Sequence, residues 1–234
     1  MQGRGHPWLN RLAYSIYSRT RVLGARRISR LGSPATIVDV GVGAGTPELY
    51  KAFPDAGLLL VEPLAEYEPH LKAICAARPR CRYALSAVGA RQGTRSIQVV
   101  PGLLEHSSFL ARTPLAATDN RIEERLVSVT TLDALMAELS PTPPFGLKID
   151  TEGLELEVIR GATGLLRDTE FVIAEVSILK RFEASYTFAE FIAEMAARGF
   201  EVFDVLQVVR PDPSGTRYVD LAFVNSRRRP ARSV

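Results

Sequence analysis

Short apolar runs alternate along the chain with longer stretches whose apolar residues recur every three or four positions. The runs at 37–40 and 58–61 are the clearest, and continuous β-branched or leucine runs of this length are typical of buried parallel strands. These patterns predict strands at 36–40, 57–61, 82–86, 145–149, 171–176, 201–209 and 218–225, and helices at 47–53, 66–77, 131–139, 152–161 and 188–198. Alternating strands and helices predict an α/β fold with a mostly parallel sheet.

The middle of the chain departs from this regular alternation. Residues 94–100 alternate in polarity and predict an extra strand, which we expect to form a hairpin with the strand at 82–86. Residues 101–125 are irregular, and because long loops in compact domains are usually functional, we expect substrate contacts there. A short strand at 126–129 follows. Near the end, a proline- and glycine-containing turn predicts that the last two strands form an antiparallel pair.

A glycine-rich turn joins the first predicted strand to the first predicted helix. In residues 41–45, glycine alternates with Val42 and Ala44, and glycine lets a ligand approach the backbone closely. Residues 46–48 form a typical helix start. Glu62 closes the second strand, where an acid suits hydrogen bonding to ribose hydroxyls. The two strands, the glycine turn, the helix and Glu62 together predict a site for a nucleoside-containing cofactor. The spacing of the glycines differs from the dinucleotide-binding pattern, which disfavours an NAD-dependent oxidoreductase.

Composition narrows the class of protein. The chain has 234 residues, 46% of them hydrophobic and 24% charged, which is ordinary for one globular domain. No apolar run approaches the ~20 residues of a membrane span, and the N-terminal region lacks the apolar segment of a secretory signal. Two cysteines, Cys75 and Cys81, are too few for a disulfide scaffold. We therefore expect a protein of the reducing cytoplasm.

Positive charge is concentrated at the two ends of the chain. The net charge is +3, and residues 1–34 contain seven arginines and no acid. Basic ends attract nucleic acid, anionic lipid or acidic substrates in some proteins and are simply solvated in others. We divide the chain into a basic N-terminal extension at 1–34, with an amphipathic helix over 8–30, a cofactor-binding domain at 35–226 and a basic tail at 227–234.

A second motif follows the strand at 145–149 and carries a family resemblance. Residues 148–162 closely follow the Lys-Ile-Asp-x-Glu-Gly-x-Glu segment, and the Val-Leu/Ile-x-Gly-Ala segment after it, of the FkbM family of methyltransferases that use S-adenosyl-L-methionine (SAM). The segments at 61–63, 84–86 and 131–133 also resemble this family, so the resemblance spans about residues 36–225. It implies a Rossmann-like class I methyltransferase sandwich, with a seven-stranded, mostly parallel sheet and an antiparallel last strand.

The resemblance also implies where the cofactor SAM binds. The glycine turn passes under the amino-acid part of SAM, Asp39 holds its ammonium group directly or through water, and Glu62 holds the ribose. The implied cofactor-binding residues are Asp39, Gly41, Val42, Gly43, Gly45, Glu62, Pro63, Ser86, Ala87 and Asp150. Two of them depart from the family pattern, because Gly43 stands where asparagine is common and Ala87 where an acid is common.

Three residues are candidate bases for an O-methyltransferase, the activity that the resemblance implies, on hydroxyls of natural products or sugars. Asp150 and Glu152 lie at the carboxyl end of the strand at 145–149, where ligands of open α/β sheets bind. His106 competes because histidine titrates near neutral pH. In the alternative readings, Asp150 only contacts the cofactor, Glu152 only caps a helix, and Glu175 neutralises Lys148 in the sheet. A metal ion held by Asp150, Glu152 and Glu175 is a less favoured alternative, so we expect no metal site.

Other functions stay open from the sequence alone. An RNA methyltransferase would use the basic ends, but residues 149–152 lack the Asn/Asp-Pro-Pro-aromatic segment of base N-methylating enzymes. A non-catalytic SAM-binding module is a third reading. We expect a small-molecule hydroxyl acceptor as partner rather than nucleic acid, and self-association as a homodimer stays open.

Overall fold

The computed structural model describes residues 24–114, 121–210 and 215–228. Ten strands are present in this part of the chain: β1 (Thr36–Val40), β2 (Gly57–Val61), β3 (Cys81–Ala84), β4 (Ala87–Val88), β5 (Gly93–Val99), β6 (Glu123–Thr130), β7 (Phe145–Ile149), β8 (Thr169–Ser177), β9 (Phe200–Val209) and β10 (Tyr218–Asn225). Seven of them form the main sheet in the order β3-β2-β1-β7-β8-β10-β9. Pairing is parallel from β3 through β8, and β10 runs antiparallel to both of its neighbours. The predicted Rossmann-like class I methyltransferase fold, with its antiparallel last strand, is confirmed.

Helices cover both faces of this sheet. Those of the described residues are α1 (Ala25–Ile28), α2 (Pro47–Ala52), α3 (Glu68–Ala76), α4 (Leu132–Leu139), α5 (Glu155–Arg160), α6 (Thr163–Arg167) and α7 (Phe188–Ala197). Most agree with the predicted helices to within about two residues, the usual uncertainty of helix ends. The predicted helix at 152–161 differs, because α5 begins three residues later, after a tight turn, and α6 was not predicted.

The prediction for the strand at 94–100 was wrong about its partner. β5 pairs antiparallel with β6, not with β3, and a second sheet has the order β4-β6-β5. The short strand β4 pairs with the end of β6 and leads the chain away from the main sheet. β6 also begins at Glu123, so it takes up the last part of the segment predicted to be irregular.

Two hydrophobic layers hold the main sheet between its helices. Successive side chains of β1 lie on opposite faces of the sheet and so belong to different layers. Ile37 packs with α1, α2 and α3, whereas Val38 and Val40 pack with α4 to α7. All five residues of β1 are buried, as expected for a central parallel strand. Asp39 is therefore a charged side chain within the core, and its surroundings must compensate the cost of burial.

The described part of the N-terminal extension packs against the domain. Ile28 and Leu31 are buried in the core, and Arg27 forms an ion pair with Asp204 of β9. Residues 8–23 of the predicted helix lie outside the described residues, as do residues 229–234 of the tail, and the domain boundaries stay predictions. No described helix is long and apolar enough to cross a membrane.

A disulfide joins Cys75, near the end of α3, to Cys81 at the start of β3. Two cysteines are too few for a disulfide scaffold, and the sequence did not predict this single bridge. The expectation of a cytoplasmic protein, which rested partly on the low cysteine count, stays a prediction.

The packing of β7 against β8 generates a test of stability. A Cβ atom added to Gly146 would lie 2.3 Å from the ring of Phe171, which is fully buried. We expect Gly146→Ala to lower the free energy of unfolding by about 1–3 kcal/mol, because the ring has to move within a packed core. Urea unfolding measures this change. Gly24→Ala is the control, since its added Cβ would meet nothing within 4 Å, and equal losses in the two variants would contradict the packing argument.

Candidate functional site

A cavity of about 490 Å³ opens at the carboxyl ends of β1, β2 and β7. Its volume is within the range of small-molecule and cofactor sites. Most of the predicted site residues line it: Gly41, Val42, Gly43, Gly45, Glu62, Pro63, Ser86, Ala87, Asp150 and Glu152. Asp39 and His106, two further predicted residues, do not belong to this lining. The main sheet therefore assembles the two sequence motifs into one cleft.

The glycine turn requires glycine for two separate reasons. Gly41, Gly43 and Gly45 all have positive φ angles, of 72°, 52° and 106°, which L-residues with side chains rarely adopt. At Gly41 space is also decisive, because an added Cβ would lie 1.7 Å from the carbonyl oxygen of Asp150. The turn that enters α2 and the turn that leaves β7 are thus in direct backbone contact.

Glu62 joins the end of β2 to the glycine turn. Its carboxylate accepts hydrogen bonds from the backbone N–H groups of Gly43, at 2.9 Å, and Leu64, at 3.0 Å. Burial raises the pKa of Glu62 above its ordinary value, although the two N–H groups oppose this shift. The remaining lone pairs of a carboxylate can accept from hydroxyl donors. The geometry fits the predicted contact with a ribose, which stays a prediction.

Asp39 lies behind the glycine turn rather than in the cavity. It is fully buried, and its carboxylate accepts a hydrogen bond from the Tyr50 hydroxyl at 2.6 Å. Its other oxygen lies 3.5 Å from Lys148 Nζ, and Lys148 in turn donates to the carbonyl oxygen of Gly41 at 3.1 Å. The predicted contact with the ammonium group of a bound cofactor, direct or through water, stays a prediction.

Lys148 connects the two motifs electrostatically. Its ammonium group lies 3.4 Å from Asp150 Oδ2 as well as 3.5 Å from Asp39 Oδ1. Burial alone would lower the pKa of Lys148, but the carboxylates of Asp39, Asp150 and Asp220 together more than offset it and the pKa is raised. The side chain therefore stays charged at neutral pH. The alternative in which Glu175 neutralises Lys148 is not observed, because Glu175 pairs with Arg181.

Three carboxylates meet at the carboxyl ends of β7 and β8. Asp150, Glu152 and Glu175 each place one oxygen within 4.8 Å of the others, a spacing that metal ligands also show. Arg181 forms ion pairs with Glu175 and, at 3.4 Å, with Glu152. The guanidinium thus supplies positive charge where a metal ion would supply it. Sequence reasoning missed Arg181, which lies in the turn after β8 and has no motif around it.

Glu152 has the most perturbed backbone and electrostatics of the predicted bases. Its φ angle is +51°, and such a conformation costs about 1–3 kcal/mol outside glycine. Burial raises its pKa to about 7, with Asp150 adding to the shift while Arg181 and Arg112 oppose it. A carboxyl group that titrates near neutral pH can exchange protons with a substrate. Backbone strain of this kind is typical of functional sites.

Asp220 adds a fourth carboxylate that sequence reasoning missed. It lies on β10 directly opposite Glu175 of β8 and lines the cavity. Burial raises its pKa to about 7, with Asp150 as the next cause. The register of the antiparallel pair brings it here, and that register could not be read from local sequence.

Comparison with known proteins identifies the family. A sequence profile described as "Methyltransferase FkbM domain" matches residues 39–202. The chain belongs to the FkbM methyltransferase family. Its cofactor is therefore SAM. No significant match was found among curated proteins.

Several solved methyltransferase structures are similar to this chain. The Methanococcus jannaschii fibrillarin pre-rRNA processing protein is 12% identical with a TM-score of 0.48, over 92% of this chain and 73% of that one. Magnesium protoporphyrin IX methyltransferase from Synechocystis, with bound SAM, is 10% identical with a TM-score of 0.46, over 97% and 87%. A Burkholderia thailandensis 1,6-didemethyltoxoflavin-N1-methyltransferase is 15% identical with a TM-score of 0.42, over 97% and 93%.

His106 of this FkbM methyltransferase lies beside a second, smaller cavity of about 210 Å³. Its carbonyl oxygen accepts a hydrogen bond from Arg112 at 2.8 Å, and its buried Nδ1 has no hydrogen-bond partner among the described residues. Burial lowers the pKa of His106, and Arg112 adds to that effect. His106 therefore lines the smaller cavity, whereas Asp150 and Glu152 line the main cleft, and Arg112 contacts both His106 and Glu152.

The second sheet supplies an apolar wall of the cleft. Ile97 of β5 packs with Tyr67, Leu104 and Phe109, and all four side chains line the main cavity. Leu104 and Phe109 belong to the segment in which we expected substrate contacts. The structure places this segment at the cavity, and the contacts themselves stay a prediction.

The glycine turn generates a test of cofactor binding. We expect Gly43→Val to abolish SAM binding, because a β-branched side chain at φ +52° distorts the turn and blocks approach to the backbone. Gly43→Asn is the matched control, since asparagine tolerates this conformation and stands here in the family pattern. Calorimetric titration with SAM measures both affinities. A Gly43→Val protein that stays folded and binds SAM as tightly as the wild type would remove the turn from the cofactor site.

Proposed function

We propose that this FkbM methyltransferase transfers the methyl group of SAM to a hydroxyl group of a small molecule, a natural product or a sugar. Glu152 is the general base and Asp150 orients the acceptor. One observation carries the proposal: Glu152 is held in a strained turn at the cavity wall, with a pKa of about 7. A merely structural carboxylate would not require this combination of strain and burial.

The contacts of Glu152 leave one carboxylate oxygen for the acceptor. Arg112 Nη2, at 3.3 Å, and Arg181 Nη1, at 3.4 Å, both lie on Oε2. Oε1 can then accept the proton of an acceptor hydroxyl, and the two guanidinium groups stabilise the carboxylate before it is protonated. A base of this kind accelerates a reaction by about 10²–10⁴-fold.

Orientation supplies the larger part of the rate enhancement in this proposal. When bound, SAM supplies an electrophilic methyl group on a sulfonium. Methyl transfer is an in-line displacement, and holding the acceptor oxygen in line contributes roughly 7–11 kcal/mol. Asp150 lies at the junction between the glycine turn and Glu152, where its carboxylate is held by Lys148 at 3.4 Å. It can therefore accept a hydrogen bond from a neighbouring hydroxyl of the acceptor while Glu152 removes the proton of the reacting hydroxyl.

Arg181 favours a reaction that needs no metal ion. Its guanidinium contacts two of the three carboxylates that share a metal-compatible spacing, so a divalent cation would have to displace it. The cavity volume of about 490 Å³ supports a compact acceptor over RNA. The homodimer and the placement in the cytoplasm stay predictions.

Glu152→Gln tests the assignment of the base. We expect methyl transfer to fall about 10²–10⁴-fold because the amide cannot accept the proton, while the affinity for S-adenosylhomocysteine stays within about twofold. Release of S-adenosylhomocysteine is measured over a panel of phenols and sugars, with structured RNA in parallel. Glu138→Gln, on the exposed surface of α4, is the matched control. SAM binding by the wild type without methyl transfer to any acceptor would indicate a non-catalytic SAM-binding module. Methyl transfer to RNA alone would contradict the proposal of a small-molecule acceptor.

The pH dependence separates the two candidate bases. Glu152 is protonated and inactive as a base below its pKa of about 7, so we expect kcat to rise between about pH 6 and pH 8. If His106 were the base, the rise would lie below pH 6.5, because its pKa is lowered from that value. Rates measured in the wild type and in His106→Asn decide between them. Loss of the pH dependence of kcat in His106→Asn would contradict the role of Glu152.

A further inference from the structure

The turn that carries the catalytic carboxylates has an unusual backbone. Glu152 and Gly153 have consecutive positive φ angles of 51° and 106°. A Cβ at Gly153 would lie 2.7 Å from the ring of Phe182, so the second position is restricted to glycine by space as well. Such a conformation persists only where surrounding groups determine it. The groups that do so are therefore part of the machinery that positions Glu152.

The carboxylate of Glu155 holds this turn from the helix side. Its Oε1 accepts hydrogen bonds from the backbone N–H of Thr151 at 3.0 Å, from the Thr151 hydroxyl at 3.2 Å and from the backbone N–H of Gly153 at 3.1 Å. The two N–H groups flank Glu152 on either side. Glu155 is fully buried, and a buried charge is retained only where it is well hydrogen-bonded.

Tyr186 completes the coordination of Glu155. Its hydroxyl donates to Oε2 of Glu155 at 2.5 Å. Burial, and then the Glu155 carboxylate, raise the pKa of the Tyr186 phenol well above its ordinary value, so the phenol keeps its proton and stays a donor. Both oxygens of Glu155 are thereby fixed, and the carboxylate cannot rotate away from the turn.

Two serines hold the carbonyl groups of the same turn. Ser108 Oγ donates to the carbonyl oxygen of Glu152 at 2.7 Å, and Ser185 Oγ donates to that of Gly153 at 3.0 Å. Ser108 comes from the segment before β6 and Ser185 from the segment before α7. The backbone of the turn is therefore held from three directions, with Glu155 as the group that holds the N–H side.

We propose that Glu155, together with Tyr186, forms a positioning clamp that sets the conformation of the turn and so places Glu152 beside Asp150. This inference rests on the proposed function, because the clamp matters for catalysis only if Glu152 is the general base. Neither residue of the clamp lines the main cavity, so they act through the turn and do not touch the reacting groups. The simpler reading is that Glu155 is only a favourable acid in the first turn of α5.

Hydrogen exchange and kinetics separate the two readings. In Glu155→Ala we expect the amide of Gly153 to exchange at least about 10-fold faster by NMR, while amides of β7 keep their protection. We expect the affinity for S-adenosylhomocysteine to stay within about twofold and kcat to fall about 10²-fold, the effect of a misplacement of about 1 Å. Glu155→Gln keeps an acceptor oxygen for the two N–H groups, so it should recover most of the activity.

Tyrosine variants provide the matched control. Tyr186→Phe removes the hydrogen bond to Glu155 and should give an intermediate loss of kcat. Tyr83→Phe removes a comparable hydrogen bond, from Tyr83 to Glu68 at 2.8 Å on β3, and should leave kcat unchanged.

Each outcome bears on the clamp. Unchanged exchange at Gly153 in a folded Glu155→Ala protein would overturn it, and so would faster exchange with full activity. Local loss of protection together with loss of kcat supports it. If the wild type transfers no methyl group to any acceptor, the proposed function fails by itself, and the exchange rates still decide whether Glu155 holds the turn.

Discussion

The contact between the ends of β1 and β7 is the constraint on which the cleft depends. The backbone of Gly41 lies so close to the carbonyl group of Asp150 that no side chain fits between them, and the amide of Asp150 donates to Val40 at 3.0 Å. Lys148 reinforces the junction by contacting Asp39, Asp150 and the Gly41 carbonyl. The turn for the cofactor and the turn with the carboxylates are therefore fixed relative to each other by the sheet itself.

Charge balance in the interior follows from that junction. Asp150, Glu152, Glu175 and Asp220 gather where the strands end, and burial raises the pKa of the last three. Arg181 compensates part of this charge while its guanidinium stacks over the rings of Phe182 and Tyr218, at 5.1 Å and 4.5 Å. A buried ionic cluster is a poor source of stability compared with apolar packing. Its presence in the cleft is better explained by chemistry than by folding.

Local sequence was sufficient for the central strands and for the glycine turn. The bounds predicted for β1, β2, β7 and β10 are those observed, because continuous apolar runs and flanking turns determine them. Helix α5 begins later than predicted because Glu155 accepts the N–H groups of the preceding turn, an arrangement that helix propensity does not contain.

Long-range pairing was the part that sequence could not supply. The predicted partner of β5 was wrong because the hairpin rule favours the nearest strand in sequence. The observed partner, β6, begins more than twenty residues after β5 ends. Arg112, Arg181 and Asp220 reach the carboxylates from three separate segments, and only the register of the sheet and the turns around it bring them there.

The apolar side of the cleft has a consequence for the shape of the acceptor. Ile97, Leu104 and Phe109 form this side, and they lie on β5 and in the segment after it, outside the seven-stranded sheet that carries the glycine turn and the carboxylates. Substitutions at these three apolar positions would change the width of this side of the cleft without altering the glycine turn. Ser108 and Arg112 of the same segment contact Glu152, so the wall as a whole is tied to the carboxylates.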